Sequence, residues 1–145
     1  MKRSSSRRNR GFTLIEVLLV LVILVILASL AVVNVLSVQK SANVKAAQVQ
    51  IDGFDTALGT YQMSIGTFPT TQSGLQALRT RPNDLQDPDK WEGPYITKDI
   101  PLDPWGKPYQ YSCPGMHNPD RFDVWTVTPP PENKELGNWT EEVRR

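Results

Sequence analysis

The 145-residue sequence has only one cysteine and one histidine. Cys113 cannot form an intramolecular disulfide, and neither it nor His117 has the neighbouring ligands of a zinc site. We interpret both as packing or turn residues. The sequence therefore gives no support for a cysteine-based redox protein or a zinc enzyme.

Proline and positive charge are absent from long parts of the chain. All 12 prolines lie at Pro69 or later, and no Lys or Arg occurs between Arg10 and Lys40. Five of the 16 cations precede the first acid, Glu16, so the remaining 11 face 15 acids and the net charge after Arg10 is −4. With 39% hydrophobic and 21% charged residues, the composition excludes a multi-span membrane protein, a wholly disordered chain and a collagen-like repeat.

The segment between the two cationic regions is apolar. From Val17 to Val33 only Ser29 is polar. A helix over residues 12–33 would be ~33 Å long, which matches the hydrocarbon core of a bilayer at about 30 Å. The cations in front of it predict a cytoplasmic amino terminus. A secretory signal peptide, cleaved at the small residues 28–31, and an ordinary signal anchor are the alternatives.

Neither alternative explains Glu16, the acid inside the apolar segment. A carboxylate at membrane depth usually has a partner. If the chain were cut between Gly11 and Phe12, the new α-amine would supply a cation near the start of the helix. The amine of one helix and Glu16 of a neighbouring helix could then pair in a low-dielectric interior. Such a pair would indicate the register of the helices in an assembly.

The rest of the chain predicts an α+β fold. An apolar stripe at helical spacing extends the helix from Phe12 to about Tyr61. Phe68-Pro69 ends it, a threonine- or serine-capped short helix follows within residues 71–79, and residues 109–111 and 122–127 predict antiparallel strands. The fold expected is a long helix packed on a small antiparallel sheet, with long loops. The stripe consists of Val44, Ala47, Ile51, Phe54, Leu58 and Tyr61.

Residues 10–17, Arg-Gly-Phe-Thr-Leu-Ile-Glu-Val, resemble the class III signal of type IV pilins and type II secretion pseudopilins. In that superfamily a prepilin peptidase cuts after the glycine, methylates the new terminal Phe and leaves the apolar helix in place. The resemblance implies that Gly11 and Phe12 form the cleavage site, that Phe12 is N-methylated, and that Glu16 acts with Phe12 in assembly.

Later motifs narrow the resemblance to the major, G-type core pseudopilins of type II secretion. Adhesive type IV pilins usually carry a carboxy-terminal cysteine pair, which one cysteine cannot supply. The implied fold is type IV pilin-like: a cleaved basic leader at 1–11, a transmembrane and filament-core helix at 12–34, its amphipathic continuation at 35–62 and a periplasmic globular domain at 63–145. The motifs are Phe68-Pro69-Thr70-Thr71, Gly74 to Leu78, Trp91 with Gly93-Pro94-Tyr95, Pro101 to Tyr111, Pro114-Gly115 and Leu136 to Trp139.

The carboxy-terminal loop departs from that family, whose Gly- and Asp-rich loop binds calcium. Here residues 128–135 read Thr-Pro-Pro-Pro-Glu-Asn-Lys-Glu, stiffened towards polyproline II. Calcium takes six to eight oxygen ligands from flexible turns. We favour a solvated acidic loop, and the hypothesis is that calcium binding is weak or absent and that proline rigidity replaces it. The candidate calcium ligands are Glu132, Asn133, Glu135 and Asp123.

Taken together, these features predict a structural subunit and no enzyme. The subunit is expected to span the inner membrane once, with its amino terminus cytoplasmic and its carboxy-terminal domain periplasmic. It would polymerise into a short periplasmic helical filament that drives export of folded proteins. Expected partners are copies of itself, minor pseudopilins, the inner-membrane secretion platform and prepilin peptidase, but no nucleic acid. The alternatives are a type IV or competence pilin, and a secreted enzyme or binding domain behind an ordinary signal peptide.

Overall fold

The computed structural model describes residues 12–140, and for residues 30–36 it describes the backbone alone. Helix α1 spans Leu14–Ile65, and two short 3-10 helices follow at Gly74–Leu78 and Pro88–Lys90. Strands β1 (Gln110–Ser112), β2 (Asp123–Val127) and β3 (Glu135–Gly137) come after them. The chain divides into two compact units with the boundary between Lys40 and Ser41.

In the first unit, the described part of α1 carries apolar side chains all around its axis. Those of residues 17–27 are each 48–69% exposed. Among the described residues, no helix combines the length and apolarity that crossing a membrane requires. The predicted leader at 1–11 lies outside the described residues, and the predicted segment 12–34 includes residues whose side chains lie outside them.

In the second unit, α1 buries the predicted stripe. Five of its six members are at most 1% exposed and Val44 is half-buried, whereas Lys45 and Asp52, away from the stripe, are exposed. The helix ends at Ile65 because Gly66 adopts a positive φ of 94°, which glycine tolerates, and Pro69 follows shortly after. The five fully buried members are Ala47, Ile51, Phe54, Leu58 and Tyr61.

The sheet is antiparallel with the order β1-β2-β3. Successive β2 residues face opposite sides, so Val124 and Thr126 are buried while Trp125 lies half-buried on the other face. Strands β1 and β2 confirm the predicted strands to within one residue at each end. Strand β3 was not predicted, because a three-residue Glu-Leu-Gly segment has too little alternation to indicate a strand.

One local prediction was wrong in detail. The predicted short helix is present as a 3-10 helix, but Ser73 at its start has helical angles and no capping hydrogen bond; its hydroxyl lies 2.7 Å from Asp84 Oδ1 instead. In the turn that begins at Asp103, Trp105 is half-buried, whereas Asp103 is buried.

The Asp103 carboxylate is buried because it closes the turn. Its Oδ1 accepts hydrogen bonds from the backbone N–H of Trp105 at 3.0 Å and of Lys107 at 2.7 Å. Its Oδ2 accepts the Thr126 hydroxyl from β2. A buried carboxylate is tolerated when hydrogen bonds satisfy it, so Asp103 fixes the turn onto the sheet.

Candidate assembly site

The start of α1 presents the residues predicted for assembly. Thr13 precedes the helix, and the backbone N–H of Glu16 lies 3.4 Å from Thr13 Oγ1 and 3.1 Å from Thr13 O. A Thr followed three residues later by Glu is the capping-box pattern, which satisfies a free N–H of the first turn. The role of Thr13 was missed in the sequence, although the Thr-x-x-Glu spacing signals it.

Glu16 lies in the first turn of α1, where the positive end of the helix dipole favours a carboxylate. The residue is exposed, and its carboxylate has no hydrogen bond or ion pair with the other described residues. Phe12 precedes Glu16 by four residues and is 83% exposed. Gly11, the other predicted cleavage residue, lies outside the described residues.

The apolar side chains around Glu16 are also exposed. Leu14 is 84% and Ile15 72% exposed. Exposed apolar patches of this extent mark surfaces that bind protein or lipid. The Glu16 carboxylate therefore lies within an apolar helix surface. No described residue of the first unit pairs with this carboxylate or covers this surface.

The predicted calcium ligands lie in the second unit, at both ends of the β2-β3 hairpin. Glu132 and Asn133 are exposed in the connecting loop, and Asn133 has a positive φ of 44°. Glu135 is the exposed first residue of β3. Asp123 is the buried first residue of β2, and it shares a recess with Glu135.

The Asp123 carboxylate is occupied by donors from its own chain. Its Oδ2 accepts the His117 backbone N–H at 2.7 Å, and its Oδ1 accepts the Asn118 backbone N–H at 3.1 Å and side-chain Nδ2 at 2.9 Å. Burial opposes ionisation of Asp123, but these hydrogen bonds outweigh it and hold the pKa of the carboxyl below its ordinary value. Asp123 thus organises the β1-β2 loop.

The loop between β2 and β3 is closed by its own backbone. Thr128 N–H donates to Lys134 O at 2.9 Å, and Lys134 N–H donates to Thr128 Oγ1 at 2.9 Å. Between residues 12 and 140, no group of three His, Cys, Asp or Glu side chains converges on one point. With Asp123 committed to N–H donors, the predicted side chains do not by themselves supply the six to eight oxygen ligands that calcium takes.

Comparison with known proteins connects both units to one family. The model of the type II secretion system protein G family matches residues 34–138, and the prokaryotic N-terminal methylation motif matches residues 6–32. The type II secretion system core protein G of Pseudomonas aeruginosa is 38% identical over 139 residues, covering 92% of this chain and 96% of that protein. That of Vibrio cholerae is 39% identical, covering 92% and 93%.

A solved structure agrees with the sequence relatives. The fold is similar to the crystal structure of the major pseudopilin from the type 2 secretion system of enterohaemorrhagic Escherichia coli. The TM-score is 0.59 at 27% identity, over 73% of this chain and 94% of that one. The predicted pilin-like α+β fold is therefore confirmed. The chain belongs to the type II secretion system protein G family, and it is a structural pseudopilin subunit and not an enzyme.

Proposed function

We propose that the chain is cleaved after Gly11, methylated on Phe12 and assembled through Glu16 into a type II secretion pseudopilus. One observation carries the proposal. Glu16 is the only charged residue from Phe12 to Gln39, and its carboxylate, among exposed apolar side chains, has no partner in the part of the chain that the structure describes. A position of this kind is costly unless another molecule brings a cation to it.

The chemistry of assembly follows from that position. Cleavage converts the Phe12 amide nitrogen into an amine, which is cationic at neutral pH. Packing of apolar helices from adjacent copies removes water, so an amine and a Glu16 carboxylate from two copies attract each other more strongly than in solution. Because the pair forms only in one stagger, it selects the helical register of the filament.

The same reasoning gives the topology and partners. The basic residues before Gly11 favour a cytoplasmic amino terminus, with the second unit in the periplasm and a single pass through the inner membrane. Prepilin peptidase would process the chain, and the inner-membrane platform and minor pseudopilins would take part in filament growth. The matched family models disfavour a type IV or competence pilin and an enzyme behind a signal peptide.

The test replaces Glu16 in a strain that lacks the chromosomal gene. Glu16→Ala should insert and be processed normally, with loss of sheared filaments and of exported proteins in the medium. Ser29→Ala is the matched control, because the Ser29 hydroxyl bonds only to Ile26 O of its own helix, at 2.7 Å. Filaments from Glu16→Ala at the wild-type level would refute the assembly role.

Mass spectrometry of the mature amino terminus tests the processing step. The proposal requires a chain that begins with methylated Phe12. A chain that begins near Val32 would establish the signal-peptide alternative instead.

A further inference from the structure

The sheet carries a small aromatic recess on the face opposite Val124. Trp125 projects from the middle strand to this face, and Glu135 starts the neighbouring strand β3. The recess has a volume of about 110 Å³. This volume suits the head of one side chain and is too small for a drug-sized ligand, which takes roughly 300 Å³ or more. We define the aromatic recess by Ser112, Met116, His117, Trp125, Glu135 and Trp139.

Three ring systems of the recess are held in place by their surroundings. The Trp139 indole packs directly against Gly137, so closely that a Cβ at residue 137 would overlap the ring. The His117 ring stacks on Trp139 with centroids 3.8 Å apart and planes 8° from parallel. The Trp125 and Trp139 centroids are 6.4 Å apart. Indole faces are the strongest cation-π acceptors among side chains.

The recess also holds one uncompensated negative charge. The Glu135 side chain is exposed and forms no hydrogen bond or ion pair with any other described residue. The second acid at the recess, Asp123, is already bonded to His117 and Asn118. An unpaired carboxylate beside the Trp125 indole complements a cationic side chain.

The chain itself supplies exposed cations that have no ion-pair partner among the described residues. We propose that the aromatic recess of one copy receives one of these lysine or arginine side chains from an adjacent copy. The inference rests on the proposed function, because only a filament keeps copies side by side. The four candidate cations are Lys45, Arg81, Lys98 and Lys107.

The test measures filaments of the full chain in a strain that lacks the chromosomal gene. Glu135→Arg should lower the sheared filament yield about fivefold or more, since the arginine in each recess then repels the cation of the adjacent copy. Asp120→Arg is the matched control: it makes the same charge change at an exposed acid outside the recess, and should leave the yield unchanged. A Tm of Glu135→Arg that matches the wild-type Tm would show that its second unit is folded.

Charge exchange identifies the partner. Lys45→Glu, Arg81→Glu, Lys98→Glu and Lys107→Glu are each combined with Glu135→Arg, and one combination should restore filaments. If Glu135→Arg behaves as Asp120→Arg does, or if none of the four combinations restores filaments, the proposal is wrong. Wild-type chain that forms no filaments would instead refute the proposed function.

Discussion

The two parts of α1 differ in the solvent exposure of their apolar side chains. Residues 17–27 leave each of theirs 48–69% exposed, whereas the five fully buried stripe residues between Ala47 and Tyr61 are at most 1% exposed. The first part is apolar on every side, so no single face could satisfy it. The second part has one apolar face, which the loops and sheet of its own unit cover.

The comparison separates the residues that stabilise the second unit from the residues proposed to act in assembly. Burial within one chain stabilises the second unit whether or not other copies are present. Residues 17–27 lack such burial within their own unit, and under the proposed function lipid or other chains supply it, with Glu16 adding an electrostatic requirement. Substitutions in the two parts should therefore affect different measurements.

The substitutions Phe54→Ala and Leu19→Ala should differ most in their effect on the stability of the second unit. Phe54 is 1% exposed and packs edge-on against Tyr109 with centroids 5.2 Å apart. Its truncation should destabilise the second unit by about 3–5 kcal/mol. Leu19→Ala should change that stability by about 0.5 kcal/mol or less and lower filament yield instead.

All four tryptophans lie in the second unit, so their fluorescence during thermal unfolding of the full chain in detergent measures this contrast. Equal destabilisation by the two substitutions would show that the first part of α1 also contributes to the folded core. The four are Trp91, Trp105, Trp125 and Trp139.

The sequence was informative where one physical requirement dominates. The 3.6-residue period predicted the buried stripe, and the run Phe-Asp-Val-Trp-Thr-Val at residues 122–127 predicted β2, because burying one face of a helix or strand imposes those periods. A single acid in an apolar run was enough to single out Glu16. These features depend on residues that are near each other in the sequence.

Features that depend on distant partners were not predictable in this way. Strand β3 is defined by its pairing with β2, and Asp103 is buried because Thr126, 23 residues later, meets its carboxylate. The aromatic recess arises because Trp139 covers Gly137 and meets His117 from another loop. No local pattern encodes these contacts, whereas the Thr13 cap was local and was missed.

Alkaline pH should weaken the second unit selectively. Burial raises the pKa of Tyr61 and of Tyr109 from 10.0 to about 12. Because each folded-state pKa exceeds its unfolded value, the unfolded chain loses its proton first. The free energy of unfolding should be insensitive to these groups below pH 10.0 and should fall between 10.0 and about 12.

Tryptophan fluorescence and tyrosinate absorbance, followed together in the full chain, measure that pH dependence. Tyr61→Phe and Tyr109→Phe are the controls, and each should reduce the slope of stability against pH. A slope that the two substitutions leave unchanged would assign the alkaline loss to other groups.

Calcium should change the thermal stability of the second unit least of all, because polar groups of its loops are already hydrogen-bonded within the unit. A ligand at 100 times its Kd stabilises a fold by about 2.7 kcal/mol. Because about 1 kcal/mol shifts the Tm of a domain of roughly 100 residues by about 4–8 °C, such a ligand would raise the Tm by roughly 11–22 °C. With the Asp123 oxygens bonded to N–H donors and Thr128 bonded to Lys134, we expect a Tm change below about 1 °C on adding calcium to EDTA-treated full chain. Magnesium serves as the ionic-strength control.

Thr128→Val sharpens the same test. It removes the oxygen that accepts the Lys134 N–H and should lower stability by about 1 kcal/mol, equally with calcium and with EDTA. A calcium-specific rise of several degrees in the wild-type chain would contradict the prediction. The loop would then need an outside partner, as the exposed part of α1 does, and the contrast between the two units would hold for α1 alone.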